Sequence, residues 1–135
     1  MREFKIHILA SDNAFYEGPC ESLVVPTIRG QYGILAGHSN LISAVVPGKL
    51  VFRIPGEKEQ IVAVSDGIVK VENNEVLVLV DTAERPEEID ENRARRAAEE
   101  AKEALLQKMS KQEYLSTQAQ LARALNRLKV KSTRI

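Results

Sequence analysis

The sequence predicts an α+β fold: an N-terminal antiparallel β-sandwich over residues 1–82, then a C-terminal two-helix antiparallel hairpin over residues 83–135. Three observations carry that prediction. Short Val- and Ile-rich runs, separated by glycine, proline and asparagine turns, fill the first eighty or so residues. No glycine follows Gly67, and the last proline is Pro86. Beyond that point alanine and leucine recur every three to four residues, the period of a helix with one apolar stripe.

Lys5-Ile6-His7-Ile8 alternates polar and apolar side chains, as a half-buried strand does. Leu50-Val51-Phe52 and Ile61-Val62-Ala63-Val64 flank a turn at Pro55-Gly56. Ile68-Val69-Lys70-Val71 and Val76-Leu77-Val78-Leu79-Val80 flank Asn73-Asn74, and asparagine tolerates the positive φ of a two-residue hairpin. Gly18-Pro19, Gly30, Gly33, Gly37, Pro47-Gly48 and Gly67 punctuate the rest.

Pro86 is acceptable at the start of a helix and not deep inside one. Asp90 is the N-cap candidate, and Glu91 in the first turn suits the helix dipole. Ala94, Ala97, Ala98, Ala101, Ala104 and Leu105 then fall on one stripe. Lys108-Met109-Ser110 ends the pattern and permits a reversal. A second stripe follows at Tyr114, Leu115, Gln118, Leu121, Ala122, Leu125 and Leu128, so the tail reads as a helical hairpin. Alanine contacts let helices approach closely but bury little area. At roughly 25 cal/mol per Å² they stabilise far less than leucine contacts. Such a hairpin is either permanently docked or able to occupy two arrangements separated by a few kcal/mol.

Nineteen basic and nineteen acidic residues balance, which argues against a general nucleic-acid binder. The balance is local only in part. Residues 114–135 carry Arg123, Arg127, Lys129, Lys131 and Arg134 with no acid, either a solvated face or a helix steered towards an acidic partner. With no tryptophan, three phenylalanines and three tyrosines, the core must be aliphatic. The single Cys20 excludes an internal disulfide and an all-cysteine zinc site, and is expected as a small buried hydrophobe. No nucleophile–base pair, paired carboxylates or metal-ligand spacing is present, so a non-catalytic protein is expected. The N-terminus lacks the apolar segment of a signal peptide, and no apolar run nears the ~20 residues that span a bilayer. The expectation is a soluble protein made in the cytoplasm, reaching a membrane only through a partner.

Two stretches of the tail suggest a ligand. Asp90 opens the first helix and Arg93 lies one turn in. Arg123 and Arg127, four residues apart, share one helical face opposite the leucine stripe. An acid at a helix start can accept from an adenine amine, and guanidinium groups can hold phosphates. In the body, Gly30-Gln31-Tyr32-Gly33-Ile34-Leu35-Ala36-Gly37-His38-Ser39-Asn40-Leu41-Ile42 reads as a glycine-rich loop. It lacks the Lys-Ser/Thr ending of a phosphate loop. His38 has no acid or cysteine cluster beside it and reads as a structural or interface histidine.

Taken together, these stretches resemble the epsilon subunit of the F-type ATP synthase, of bacterial type, over essentially the whole length. The resemblance rests on the segment from Gly30 to His38, on Ser65-Asp66-Gly67, on Ala83-Glu84-Arg85 leading to Ile89-Asp90-Glu91-Asn92-Arg93-Ala94, and on Arg123-Ala124-Leu125-Asn126-Arg127-Leu128. It implies a non-catalytic central-stalk subunit on the cytoplasmic face of the bacterial cell membrane. Its sandwich would join the gamma subunit and the rotor ring, with Tyr32, Gly33, Ile34, Leu35 and His38 at that interface. Its hairpin would fold against the sandwich or extend towards the catalytic alpha and beta subunits and inhibit ATP hydrolysis. The resemblance also implies ATP as a regulatory ligand of the folded hairpin, through Glu84, Ile89, Asp90, Arg93, Ala94, Arg123 and Arg127. Whether such ATP binding involves Mg²⁺ is left open. Ala36 and Asn40 depart from the family's loop, which usually carries prolines there. The competing reading is a free-standing sandwich adaptor or nucleotide sensor with a partner-binding helical tail.

Overall fold

In the computed structural model, which describes residues 2–107 and 109–133, the chain divides into two compact units, residues 1–85 and 86–135. The first unit holds ten strands: β1 Phe4–Ala10, β2 Ala14–Cys20, β3 Ser22–Thr27, β4 Gly30–Leu35, β5 Leu41–Val45, β6 Gly48–Arg53, β7 Glu59–Val64, β8 Gly67–Glu72, β9 Glu75–Val80 and β10 Ala83–Glu84. Hydrogen bonding orders them β10-β7-β6-β3-β5-β8-β9-β1-β2, with β4 on the free side of β3. The path narrows at the β3–β5 step to a single residue pair, Thr27 opposite Val45. There the sheet folds over into the two layers of a sandwich. The antiparallel expectation fails at one place: β1 runs parallel to β9. A parallel neighbour needs a long crossover, and the intervening strands supply it.

Alternation builds the core. Phe4, Ile6 and Ile8 of β1 point inward, as do Val69 and Val71 of β8 and Val76, Val78 and Val80 of β9. Leu23, Val25, Ile34, Leu50, Phe52, Val62 and Val64 complete it from the other strands. The core is aliphatic apart from Phe4 and Phe52, as the composition requires. Cys20 is fully buried, its thiol donating to the Ser22 carbonyl at 3.1 Å. Burial pushes that thiol's pKa up, so it behaves as a small hydrophobe rather than a reactive thiolate.

Asn73 and Asn74 adopt φ of 51° and 61°, the two positive values that a hairpin of this length takes to match strand twist. The segment read as a loop from Gly30 is largely a strand. β4 pairs with β3 from Ser22–Leu35 to Thr27–Gly30, and only residues 36–40 are loop. Its glycines disguised a strand whose backbone Thr27 anchors: the Thr27 hydroxyl donates to the Gly30 carbonyl at 2.8 Å and accepts from the Arg29 N–H.

His7 lies outward on β1 between two glutamates. Its Nδ1 stands 3.0 Å from Glu17 of β2 and its Nε2 2.9 Å from Glu75 at the start of β9. Carboxylates only accept, and a neutral imidazole has a single N–H. Both bonds therefore form only when the ring is charged. The Glu75 bond, then the Glu17 bond, raises the His7 pKa above the ordinary 6.5. The stabilisation is complete below the unfolded value and disappears as pH rises through the raised folded value. The melting temperature of the native chain should therefore exceed that of His7→Gln at pH 6 and converge with it at pH 9. Equal gaps at both pH values would disprove the charged clamp.

Gly67 opens β8 against Val80. A Cβ there would run into the Leu79 carbonyl oxygen and the Val80 Cα. Both are backbone and cannot swing aside. Gly67→Ala should cost about 3 kcal/mol or more in chemical denaturation, at the large end of single substitutions. A loss under 1 kcal/mol would mean that the strand pair separates easily.

Candidate functional site

The second unit opens with a 3-10 turn at Pro86–Glu88, followed by α1 Glu91–Leu105 and α2 Lys111–Thr133. Asp90 is the N-cap of α1: its backbone is extended, and Oδ1 accepts the Arg93 N–H at 3.1 Å. Ile89 and Ala94, at the two positions of a hydrophobic staple around that cap, are both buried. The Ile-Asp-x-x-Arg-Ala pattern thus has a helix-starting logic of its own. Residue 93 supplies its backbone N–H to the cap, while its side chain is exposed.

α1 buries Ala94, Ala98 and Ala101. The predicted stripe is wider than the real one: Ala97 is exposed, at its edge. On α2 the difference is larger. Tyr114, Leu115 and Leu125 of the expected leucine stripe are exposed, with Gln118 and Ala122. Ala124 is buried instead, and Thr117, Leu121, Leu128 and Lys131 are half-buried along the same 3–4 spacing. An inner line centred on Ala124 suits an α1 face made of alanine, because small side chains on both helices allow close approach. The expected stripe, read from its 3–4 spacing, shares Leu121 and Leu128 with this inner line and is otherwise turned away from it; Val130 is also buried.

The α2 start carries a motif that the sequence reading missed. Ser110 Oγ accepts the Glu113 N–H at 3.1 Å, and Glu113 Oε1 accepts the Ser110 N–H at 3.4 Å. This reciprocal capping box is legible as Ser-x-x-Glu. Lys108, expected in the turn, and Arg134, expected in the basic tail, lie outside the described residues.

Near the other end of the hairpin, Lys131 Nζ donates to the Pro86 carbonyl at 3.0 Å. Stepping equally from that contact along antiparallel helices brings Arg127 to the level of Asp90, and Arg123 to that of Ala94, within about a turn. The hairpin register therefore brings Asp90, Arg93, Arg123 and Arg127 to one end of the helical unit. Both α2 arginines are half-buried and engaged, and the Arg127 Nε is out of water. Ile89 and Ala94 frame that end from inside. Glu84 stands in the sandwich unit, on β10 opposite Ala63 of β7.

The other expected contact surface lies at one end of the sandwich. Tyr32 and His38 pair through a 2.8 Å hydrogen bond between the phenol and Nε2, their rings edge to face. His38 Nδ1 lies 2.7 Å from the Ser39 carbonyl, which fixes the proton on Nδ1 and makes Nε2 the acceptor of the phenol hydrogen. Gly33 and Leu35 face outward. Ile34 does not: strand alternation turns it into the core at 1% exposure, against 64% for Leu35. Ile34 therefore supports an interface only from beneath.

No group of three or more His, Cys, Asp or Glu side chains suited to a metal ion occurs among the described residues. Nor is any described helix long and apolar enough to cross a membrane.

A strand sandwich followed by a capped, alanine-lined helical hairpin defines a two-part class of subunit, and known proteins share both parts in the same order. Residues 3–86 match the beta-sandwich domain of the ATP synthase Delta/Epsilon chain, and residues 87–132 match its long alpha-helix domain. The chain belongs to the ATP synthase delta/epsilon chain family, and its relatives include epsilon chains. It is 39% identical to the ATP synthase epsilon chain of Caldicellulosiruptor saccharolyticus, over 96% of this chain and 94% of that one. Identity to the ATP synthase epsilon chain of Caldanaerobacter subterraneus subsp. tengcongensis is 41%, over 97% and 95%. The fold is shared with a chain in the Euglena gracilis mitochondrial ATP synthase structure, at a TM-score of 0.82 and 22% identity, covering 99% of this chain and 83% of that one.

Because Asp90 caps α1, its removal has a structural cost separate from any ligand. Asp90→Ala should lower the stability of the helical unit by about 1 kcal/mol, while Asp90→Ser, which keeps a capping oxygen, should restore most of it. Hydrogen exchange of the α1 amides reads this directly. Equal protection in both variants would remove the cap from the account.

Proposed function

We propose that this chain is the non-catalytic epsilon subunit of an ATP synthase central stalk. Its sandwich joins the gamma subunit and the rotor ring, and its helical hairpin restrains ATP hydrolysis. The observation that carries the reading is the match of both units, in order, to epsilon chains covered over nearly their whole length. In this reading the chain sits peripherally, on the cytoplasmic face of a bacterial cell membrane. Tyr32, Gly33, Leu35 and His38 form the surface offered to gamma and the ring.

Regulation follows from weak packing. Ala94, Ala98, Ala101 and Ala124 contribute only about 0.8 kcal/mol per buried methyl, beside the larger Ile89 and Val130. A ligand that binds only the folded hairpin adds about 2.7 kcal/mol at one hundred times its dissociation constant. That shifts a balance of a few kcal/mol between two arrangements. ATP is the ligand that the side chains suit. Asp90 accepts from the adenine amine, and Arg93, Arg123 and Arg127 take the phosphates, with Glu84 as a further polar contact and Ile89 and Ala94 as apolar support. When ATP falls, the hairpin opens. Its basic α2, with Arg123, Arg127, Lys129 and Lys131, then meets an acidic segment of the catalytic alpha and beta subunits and stops hydrolysis.

Calorimetric titration of ATP into the full chain tests the ligand. We expect saturable binding that Arg127→Ala weakens at least about tenfold, the loss of one charge-assisted phosphate contact. Asp90→Ser should also weaken it while keeping the helical content. Absence of binding at millimolar ATP would remove ATP from the proposal and leave the stalk role. Co-purification tests that role separately, since failure to associate with gamma would favour a free-standing adaptor.

A further inference from the structure

The Asn73–Asn74 turn does more than reverse the chain. Positive φ at both positions is all that such a hairpin needs, and glycine would meet that need with less strain. The Asn74 side chain reaches elsewhere. Its Oδ1 accepts the Gly37 N–H at 2.7 Å, across 37 positions of sequence, and its Nδ2 donates to the Glu3 carbonyl at 3.1 Å. The preceding Asn73 N–H donates to Asn40 Oδ1 at 3.3 Å. One turn therefore grips the 36–40 loop on both sides and ties it to the entry of β1.

Gly37 accepts this geometry because it has no side chain. Its φ is 80°, and a Cβ would collide with the end of the Arg2 guanidinium. The 36–40 loop contains no proline to stiffen it. Side-chain hydrogen bonds from the neighbouring turn supply the restraint instead. What they restrain is the loop that carries His38 and its bond to Tyr32; Leu35 just before it and Ile42 just after it are 64% and 69% exposed.

We propose that Asn74 is a positioning residue for partner contact, holding the 36–40 loop in the geometry that meets gamma and the rotor ring. The inference rests on the reading above that the Gly30–Ile42 segment is that contact. Asn74 acts through the Gly37 amide and through the Glu3 carbonyl at the edge of β1.

Two variants separate the side chain from the turn. Asn74→Gly keeps the backbone conformation and removes both bonds. Asn74→Asp keeps the acceptor for Gly37 and loses the donor to Glu3. Amide exchange measured by NMR on the full chain should show Gly37 about tenfold faster in Asn74→Gly, the effect of losing one hydrogen bond of ordinary strength. In Asn74→Asp the Gly37 rate should stay near native, and the Val78 amide in the core should be unchanged in both. Association with the purified gamma–rotor ring complex should weaken in Asn74→Gly and survive in Asn74→Asp. Unchanged Gly37 exchange in Asn74→Gly overturns the proposal. Faster Gly37 exchange with native association also overturns it, whereas native association of a Leu35→Asp variant would overturn the contact assignment of the segment, so the two failures are distinguishable.

Discussion

The sandwich closes on β1. This strand is inserted between β9, which it meets in parallel, and β2, which it meets antiparallel. Its inward residues Phe4, Ile6 and Ile8 are among the most buried in the protein. Its outward His7 bridges both neighbours. Its entry at Glu3 is tied by Asn74, whose own carbonyl accepts the Lys5 N–H at 3.4 Å. Without β1, the β9 edge would be an open ladder of unpaired backbone groups. The chain-distant pairing with β9 also has a kinetic side. Residues 4–10 must wait for residues 75–80 before half their hydrogen bonds form, a non-local contact of the slow-folding kind.

The helical unit follows a different economy of forces. Its caps are well made: Asp90 for α1 and the Ser110–Glu113 box for α2. Its interior is small, with alanine at the buried positions of α1. Caps and propensity act within each helix, so they survive when the helices part. Between the helices there is mostly small-residue packing, with the Lys131 hydrogen bond to the Pro86 carbonyl near one end. Such a unit can lose its tertiary arrangement while keeping its helices, which is what a switch made of helices requires. The exposed Tyr114, Leu115 and Leu125 fit the same picture, since an apolar face left open in one arrangement is available in another.

Much of this was legible in the sequence. Alternation located β1, and the short apolar runs located β6 to β9. The Asn-Asn pair marked its turn because few residues accept positive φ twice. Where the reading failed, local signals misled. β4 carries two glycines and an exposed leucine, so it resembles a loop; its strand identity comes from pairing with β3, which no local pattern reveals. The parallel pairing of β1 with β9 is likewise a property of topology. On α2, leucines outranked Ala124 by hydrophobicity, yet close approach to an alanine-lined helix selects the small residue. Of the candidate ligand residues, those on the hairpin come to one end of it because two antiparallel helices of known register leave no other choice. Ile34 could not be separated from Leu35 until the strand phase of β4 was known.

The cap motif explains why one set of residues can both build and report. Asp90 spends one acceptor site of its carboxylate on the Arg93 N–H, and a carboxylate has about four such sites. A ligand amine can therefore be accepted without breaking the cap. The same residue can hold a ligand only while α1 is intact, and alongside Arg127 only while α2 lies in register through Lys131 and Pro86. In the proposed role, ATP would then read two conditions at once: a formed helix start and a closed hairpin. Lys131 reaches a backbone carbonyl rather than an acid, so the latch is a hydrogen bond to a dipole and not an ion pair. Its dependence on salt should be slight, whereas the approach of the basic α2 to an acidic surface is steered by net charge and screened by ions. In the proposed role, closing of the hairpin would respond to ligand and its opening to ionic strength.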